Sequence, residues 1–463
     1  MRRMWQPARG FDARFALPVL LGPALNPINT TMISVALTPI ADAVHVSAST
    51  VVWLVAGLYL VSAVAQPLMG KLSDAYGPKR VYLSGLVIVA VSGLLPTLLP
   101  TFAGVMIARL LIGLGTSAAY PAAMTLIRDQ SQRYNLEAPQ ALLSGLSISS
   151  LVTAAIGPVL GGVLIEFFGW QSVFLVNIPL ALIALAIAWA WLPGDSTRVA
   201  AGPRPLTLRE AVDPLGIALF AVTITSLLVF LLDLSSGLYW VIPIGFAAAG
   251  CFVWWERRAP NPFIDLRMIA RNGPLARTFA RLFLVYTAIF LVVYTASQWV
   301  QAEVGLAADA AGLIQLPAAV LAGIAAVVVA RTRKVRLPLV VAAFAPLLGG
   351  VAITQLTSTS SLWLIVSALA VFGIPQALGS ISNQAALYRQ APREQIGVAS
   401  GLSRTAVQLG AILASGLVGV VFGAEPSDAG MHAVGWIVVG LTSAALVLTI
   451  FDRALEVGPG AQP

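Results

Sequence analysis

The feature that most limits what this chain can become is a run of about 20 apolar residues, repeated between short polar gaps along nearly all of its 463 residues. Wound as a helix, such a run rises about 30 Å, the thickness of the hydrocarbon core of a bilayer. Inside lipid a backbone must satisfy its own hydrogen bonds, and a helix does so within one segment. Charged residues are only 10% and hydrophobic ones 58%, whereas a soluble domain carries about 25% charged residues. A soluble chain of this length would also need polar surface around several cores. The expected class is therefore an all-α membrane protein.

The apolar runs lie at 16–40, 51–69, 81–99, 102–127, 141–165 and 170–192, then at 215–232 and 238–255, and finally at 278–300, 311–330, 337–356, 362–387, 396–422 and 431–451. This is a layout of six, two and six. It divides the chain into a tail (1–15), a six-helix bundle (16–192), connectors carrying two inserted helices (193–277), a second six-helix bundle (278–451) and a tail (452–463). Connector Pro262 to Arg271 is mildly amphipathic and is expected to lie flat on the membrane. Trp5, Trp53, Trp299 and Trp363 are expected to anchor helices at the membrane interface.

Charge tests the layout, because Lys and Arg collect in the cytoplasmic loops of membrane proteins. With the N-terminus inside, all but three of the 27 Lys and Arg residues fall on one side. The three are Arg109, Arg281 and Arg404, which lie within spans. Both termini are thus expected in the cytosol. The net charge of +8 follows from this loop bias and forms no stripe suited to nucleic acid. One Cys and two His leave no disulfide within the chain and no metal motif, and no cofactor is expected. The chain offers neither a nucleophile flanked by a base nor a nucleotide-binding GxxxxGK[ST] loop, so an enzyme and a nucleotide-driven pump are both disfavoured.

Several motifs carry mechanism. Gly70 to Arg80 reads GKLSDAYGPKR, a tight turn in which Asp74 stands among cations and Gly70 and Gly77 free the backbone. Such a carboxylate can pair with a helix N-terminus or a neighbouring base and let go when helices move. The plain alternative is a generic basic turn. Arg109 opens RLLIGLG in the fourth run. In the fifth, Gly157, Pro158, Gly161 and Gly162 form GPVLGG, where glycines admit a close helix and proline bends its own. Trp170 to Pro179 reads WQSVFLVNIP.

These segments resemble, in order, the GxLaDrxGrkxxl, RxxqGxG, GPxxGG and WRxxFxxNxP signatures of the major facilitator superfamily, the last from its fourteen-helix drug/proton antiporter branch. The resemblance implies two pseudo-symmetric six-helix bundles with two inserted helices and a small-molecule substrate bound near the midplane. It also implies export coupled to protons by alternating access, in a bacterial cytoplasmic membrane, by a monomer whose partners are its substrate, lipid and protons. The loop at Asp74, with Gly70, Gly77 and Arg80, would serve as the inner latch. The chain departs from the branch in its first helix, where Asn29 stands in the place of an aspartate; an amide cannot titrate near neutral pH. Glu166 and Asp233 are then the candidate proton carriers.

A membrane arginine must face the bundle interior or a wet cavity. Arg109 and Arg404, with Gln408 one turn beyond Arg404, are expected to do so, whereas Arg281 is near enough to a helix end to snorkel. No acid lies deep in a span, so the cavity is expected to be net positive and the substrate neutral or anionic. Asn26, Asn29 and Thr30, Gln66, Tyr294 and Gln298, and Asn383 are further candidate lining residues on polar faces. The alternative for each is hydrogen bonding between helices. A facilitator or importer of a polar metabolite without proton exchange is the second reading.

Overall fold

The computed structural model describes residues 10–46, 48–51, 53–195, 212–232, 239–306, 313–330, 332, 334–422 and 426–455. Trp5, Asp233, Arg331, Arg333 and most of the linker after residue 195 lie outside them. Among the described residues each of the fourteen apolar runs is a helix. The first six are α1 (Ala13–Met32), α2 (Trp53–Tyr76), α3 (Pro78–Ser92), α4 (Phe102–Tyr134), α5 (Gln140–Phe168) and α6 (Asn177–Trp191). The inserted pair is α7 (Pro214–Leu232) and α8 (Val241–Glu256). The last six are α9 (Gly273–Ala302), α10 (Leu316–Ala330), α11 (Arg336–Ile353), α12 (Leu362–Gln390), α13 (Ile396–Phe422) and α14 (Asp428–Ile450).

Among the described residues ten helices are long and apolar enough to cross a bilayer. Apolar α8 and α10 are shorter. Helix α1 holds Pro18, Pro23 and Pro27 and continues as a 3-10 turn at Ile33–Val35 and a short helix at Leu37–Ala43. Helix α4 runs two turns past the end expected from its apolar run, because the charged residues after Ile127 stay helical beyond the lipid-matching stretch. Helix α12 is broken at Val371–Phe372, just before Gly373 and Pro375. Proline supplies no N–H there, and a side chain at Gly373 would strike the Ala318 backbone.

The chain forms two compact units. The first holds residues 1–217, 259–264 and 391–405, and the second holds 218–258, 265–390 and 406–463. Helix neighbours repeat between the two sixes: α2 packs on α4 as α10 does on α12, α3 on α4 as α11 on α12, α3 on α6 as α11 on α14, and α1 on α6 as α9 on α14. The first core gathers Met32, Ile33, Leu54, Leu58, Val105, Ile112 and Phe174. The second gathers Leu291, Val292, Trp299, Ile353, Ile365 and Met431.

Three expectations need correction. Trp299 is fully buried, with its indole N–H on Asp428 Oδ1 at 2.9 Å, and is no interface anchor; Trp363 is 82% exposed. Arg281 does not snorkel: it is buried, and its Nη1 meets Asp452 Oδ2 at 2.8 Å. The connector is not one amphipathic helix: Phe263 and Ile264 are buried in the protein and only Leu266–Arg271 of it is helical. In each case a partner far along the chain, or burial in the protein, replaces the lipid or water that local sequence suggests.

Candidate functional site

Helix α2 delivers Asp74 in its last turn. One carboxylate oxygen accepts from Thr125 Oγ1 at 3.1 Å and from the Gly397 N–H at 3.3 Å, and Arg128 Nη1 lies 3.4 Å away. The other oxygen accepts from the Val398 N–H at 3.1 Å. Gly397 and Val398 open α13, so Asp74 closes a helix N-terminus, where N–H groups lack helical partners and the dipole favours negative charge. Gly70 permits this: a Cβ there would collide with the Gly397 carbonyl. Arg128 is shared, with a shorter contact of 2.5 Å to Asp129.

Gly77 has φ +108° and stops α2 ahead of α3, a conformation that costs glycine little. The N-terminus of α3 then meets a carboxylate from beyond α6. Asp195 accepts from the Lys79 and Arg80 N–H groups, both at 3.0 Å. Lys79 Nζ in turn donates to the carbonyls of Trp189 and Leu192 at 2.8 and 2.7 Å. The Arg80 side chain is largely exposed, 3.9 Å from Asp195. Lys71 holds the connector through the Asn261 and Pro262 carbonyls, both at 2.9 Å.

Arg109 is 1% exposed. Its Nε donates to the Leu54 carbonyl and its Nη1 to the Asn29 carbonyl, both at 3.1 Å, while Nη2 has no partner. Asn29, in the acidic position of the branch, donates from Nδ2 to Asn177 Oδ1 at 2.6 Å. The place of a carboxylate is thus taken by two amides bonded to each other. Asn177 stands in the WQSVFLVNIP segment, which was the signal available for it. Asn26 Nδ2 donates to Thr116 Oγ1 at 2.9 Å, and the Thr30 hydroxyl to the Asn26 carbonyl at 2.8 Å. Gln66 is buried, with Oε1 lacking a partner.

The GPVLGG glycines divide. A Cβ on Gly157 would lie 3.0 Å from the Ile28 carbonyl oxygen, and one on Gly161 would lie 2.8 Å from that of Met32. These two, one turn apart, let α5 lie against α1. Gly162 faces open space and takes no part in that contact. Pro158 sits within α5 between them, and Glu166 is exposed near the end of the same helix.

Arg404, half-buried, places its guanidinium carbon 3.9 Å from the centre of the Tyr120 ring. In the second unit Gln408 is buried, and Tyr294 stacks on Phe290 at 5.8 Å. Gln298 is exposed. Asn383 belongs to a buried network that the sequence did not reveal. Its Oδ1 accepts from Arg281 Nε at 3.4 Å, while Asp452 receives Arg281 Nη1 at 2.8 Å and Arg277 Nη2 at 2.7 Å. Thr278 links Arg281 Nη2 to Gln390 Oε1 at 2.6 and 2.7 Å. Burial pushes the Asp452 carboxyl up, but its bonds from the two arginines outweigh this and hold it below the usual carboxylate range. Asp452 follows the end of α14, where neither spacing nor motif marked it.

Helices of this length and apolarity, repeated in two sets of six, define a multi-pass helical membrane protein. A family model described as Major Facilitator Superfamily matches residues 19–415, and the chain belongs to that superfamily. It is 34% identical to the uncharacterized MFS-type transporter YwoD of Bacillus subtilis, over 96% of this chain and 97% of that one. It is 28% identical to the multidrug efflux pump LfrA of Mycolicibacterium smegmatis, covering 89% and 80% of the two chains. With the tetracenomycin C resistance and export protein of Streptomyces glaucescens the identity is 27%, over 91% and 78%. Among solved structures, the human organic anion transporter MFSD10 superposes with a TM-score of 0.66 at 18% identity, covering 94% and 99%. The proton:xylose symporter XylE does so with 0.64 at 14%, covering 94% of each. At these identities the two structures speak to the fold alone.

Proposed function

We propose that this transporter exports a small drug-like molecule, neutral or anionic, in exchange for protons by alternating access. It would do so in a bacterial cytoplasmic membrane as a monomer, with both termini in the cytosol. The observation that carries the reading is the Asp74 carboxylate on the N–H groups of Gly397 and Val398. Four contacts of 3.1–3.4 Å, two of them from main-chain donors, form a latch that a small slide of one helix past another undoes. The export direction draws support from the GPVLGG packing of α5 on α1 and from the efflux pumps and resistance proteins among the relatives. Glu166 and Asp233 are the first positions to test as proton carriers. Asn26, Asn29, Thr30, Gln66, Tyr294, Gln298, Asn383 and Gln408 are proposed for the substrate path.

The test is transport in proteoliposomes holding a pH-sensitive dye. Substrate movement outward with an opposite proton flux is expected, and its loss in Asp74→Ala without loss of folded protein. Substrate movement with no proton flux would remove the antiport claim.

One observation favours a second reading, a facilitator of a polar metabolite. Asn29 bonds Asn177 through its amide, so the first helix holds no titrating group at that level. Transport that persists after a protonophore supports this reading. Asn29→Asp would then be expected to make transport steeper in pH by restoring a carboxylate beside Arg109.

A further inference from the structure

Arg109, Arg281 and Arg404 lie within the apolar runs, and the structure treats them differently. Arg281 is neutralised by Asp452. Arg109 is sealed at 1% exposure, with two of its nitrogens on backbone carbonyls. Arg404 has neither arrangement. It stands about 12 Å along α13 from Ile396, and among the described residues no carboxylate comes within ion-pair distance of it.

Its surroundings are nevertheless ordered. The guanidinium carbon lies 3.9 Å from the centre of the Tyr120 ring, near the middle of α4, and Tyr120 is itself buried. The neighbouring Thr405 donates to the Ala63 carbonyl at 2.9 Å, and a side chain at Gly401 would strike the Gln66 backbone, so this stretch of α13 lies close on α2. A cation held against one ring face keeps its forked N–H edge available, and that edge matches a planar acid group with two parallel hydrogen bonds. A half-buried guanidinium at this depth is costly unless water or an anion meets it.

We propose that Arg404, with Tyr120 as its platform, is the recognition point for a carboxylate on an apolar substrate body. The inference rests on the transport reading and narrows its substrate from neutral or anionic to organic acids. Arg109, which the sequence ranked equally, is excluded as the contact in this conformation by its burial.

The experiment uses the full chain in lipid nanodiscs and two fluorescent probes of one shape, anthracene-9-carboxylate and anthracene-9-carboxamide. Wild type is expected to bind the carboxylate about tenfold or more tightly than the amide, as a charge-assisted pair would give. Arg404→Gln is expected to erase that preference, with the affinity for the carboxylate falling to that for the amide. Arg404→Lys, which keeps the charge without the fork, should retain part of it. Equal wild-type affinity for the two probes, no binding of either, or a preference that survives Arg404→Gln overturns the proposal. Should Arg404→Gln no longer bind the amide, Arg404→Lys decides: a retained preference supports the assignment and a lost one overturns it. A carboxylate that binds through Arg404 but is not moved across a bilayer would remove the export reading and leave this one standing.

Discussion

The two six-helix groups fasten the ends of their third and sixth helices in different ways. In both, a cation at the start of the third helix reaches carbonyls at the end of the sixth: Lys79 to Trp189 and Leu192, and Arg336 to Ile450. In both, an aspartate follows the sixth helix. In the first group the acids Asp74 and Asp195 rest mainly on main-chain N–H groups of helix N-termini, at 3.0–3.3 Å. In the second, Asp452 is fully buried between two guanidinium groups at 2.7 and 2.8 Å. A main-chain cap accepts any oxygen and lets go cheaply, whereas a buried ion pair must stay intact, because breaking it strands a charge. One end is suited to release and the other to holding.

The largest way to break this contrast is Asp452→Asn. It leaves Arg281 buried against an amide and is expected to cost about 3–5 kcal/mol, read as a fall in melting temperature of the detergent-purified protein. Replacing both partners, Asp452→Leu with Arg281→Met, should recover most of that loss, since apolar groups of similar volume often serve as well as a buried pair. If the single and double variants melt alike, the pair is not the fastening described above.

Asp195→Ala removes only a cap and should cost about 1 kcal/mol in the same measurement. A loss as large as that of Asp452→Asn would erase the distinction between the two ends. Asp74→Asn keeps an oxygen for the Val398 N–H and is expected to cost less than about 1 kcal/mol. Its effect should fall on transport instead, with efflux from loaded proteoliposomes lower by about tenfold, the equivalent of 1.4 kcal/mol. Full transport in Asp74→Asn would deny the latch any role.

The smallest effect concerns pH. Because Asp452 is held below the usual carboxylate range, its contribution to stability is complete above the unfolded-state value of about 3.9 and is lost only as pH falls through the lower folded value. Between pH 8 and pH 5 the melting difference between wild type and Asp452→Asn should therefore stay constant. A difference that shrinks within that window would mean that the carboxyl already takes up protons there.

Much of this architecture was legible in the sequence, because the bilayer imposes one length and one composition on every crossing. The Gly70 to Arg80 loop was legible because the close approach at Gly70, the positive φ of Gly77 and the capping carboxylate of Asp74 each demand one residue type at a fixed place. What was not legible depended on partners distant along the chain. Arg281 reads as a snorkelling residue until Asp452, 171 positions away, is placed beside it. Asn29 reads as a lost carboxylate, and only the fold shows Asn177 filling the gap from 148 residues off. Asp195 sits in a linker whose composition says solvent, yet its carboxylate is spent on a helix end. Of the GPVLGG glycines, spacing alone marks Gly161 and Gly162 alike, and only the path of α1 separates them.

The Asp195 cap also has a bearing on how the protein is made. The carboxylate that seals α3 is synthesised about 115 residues after the amides it seals, with three further helices in between. The first six-helix group is therefore complete only with the stretch beyond its last helix, so a chain cut at Trp191 would hold all six helices and still lack this fastening.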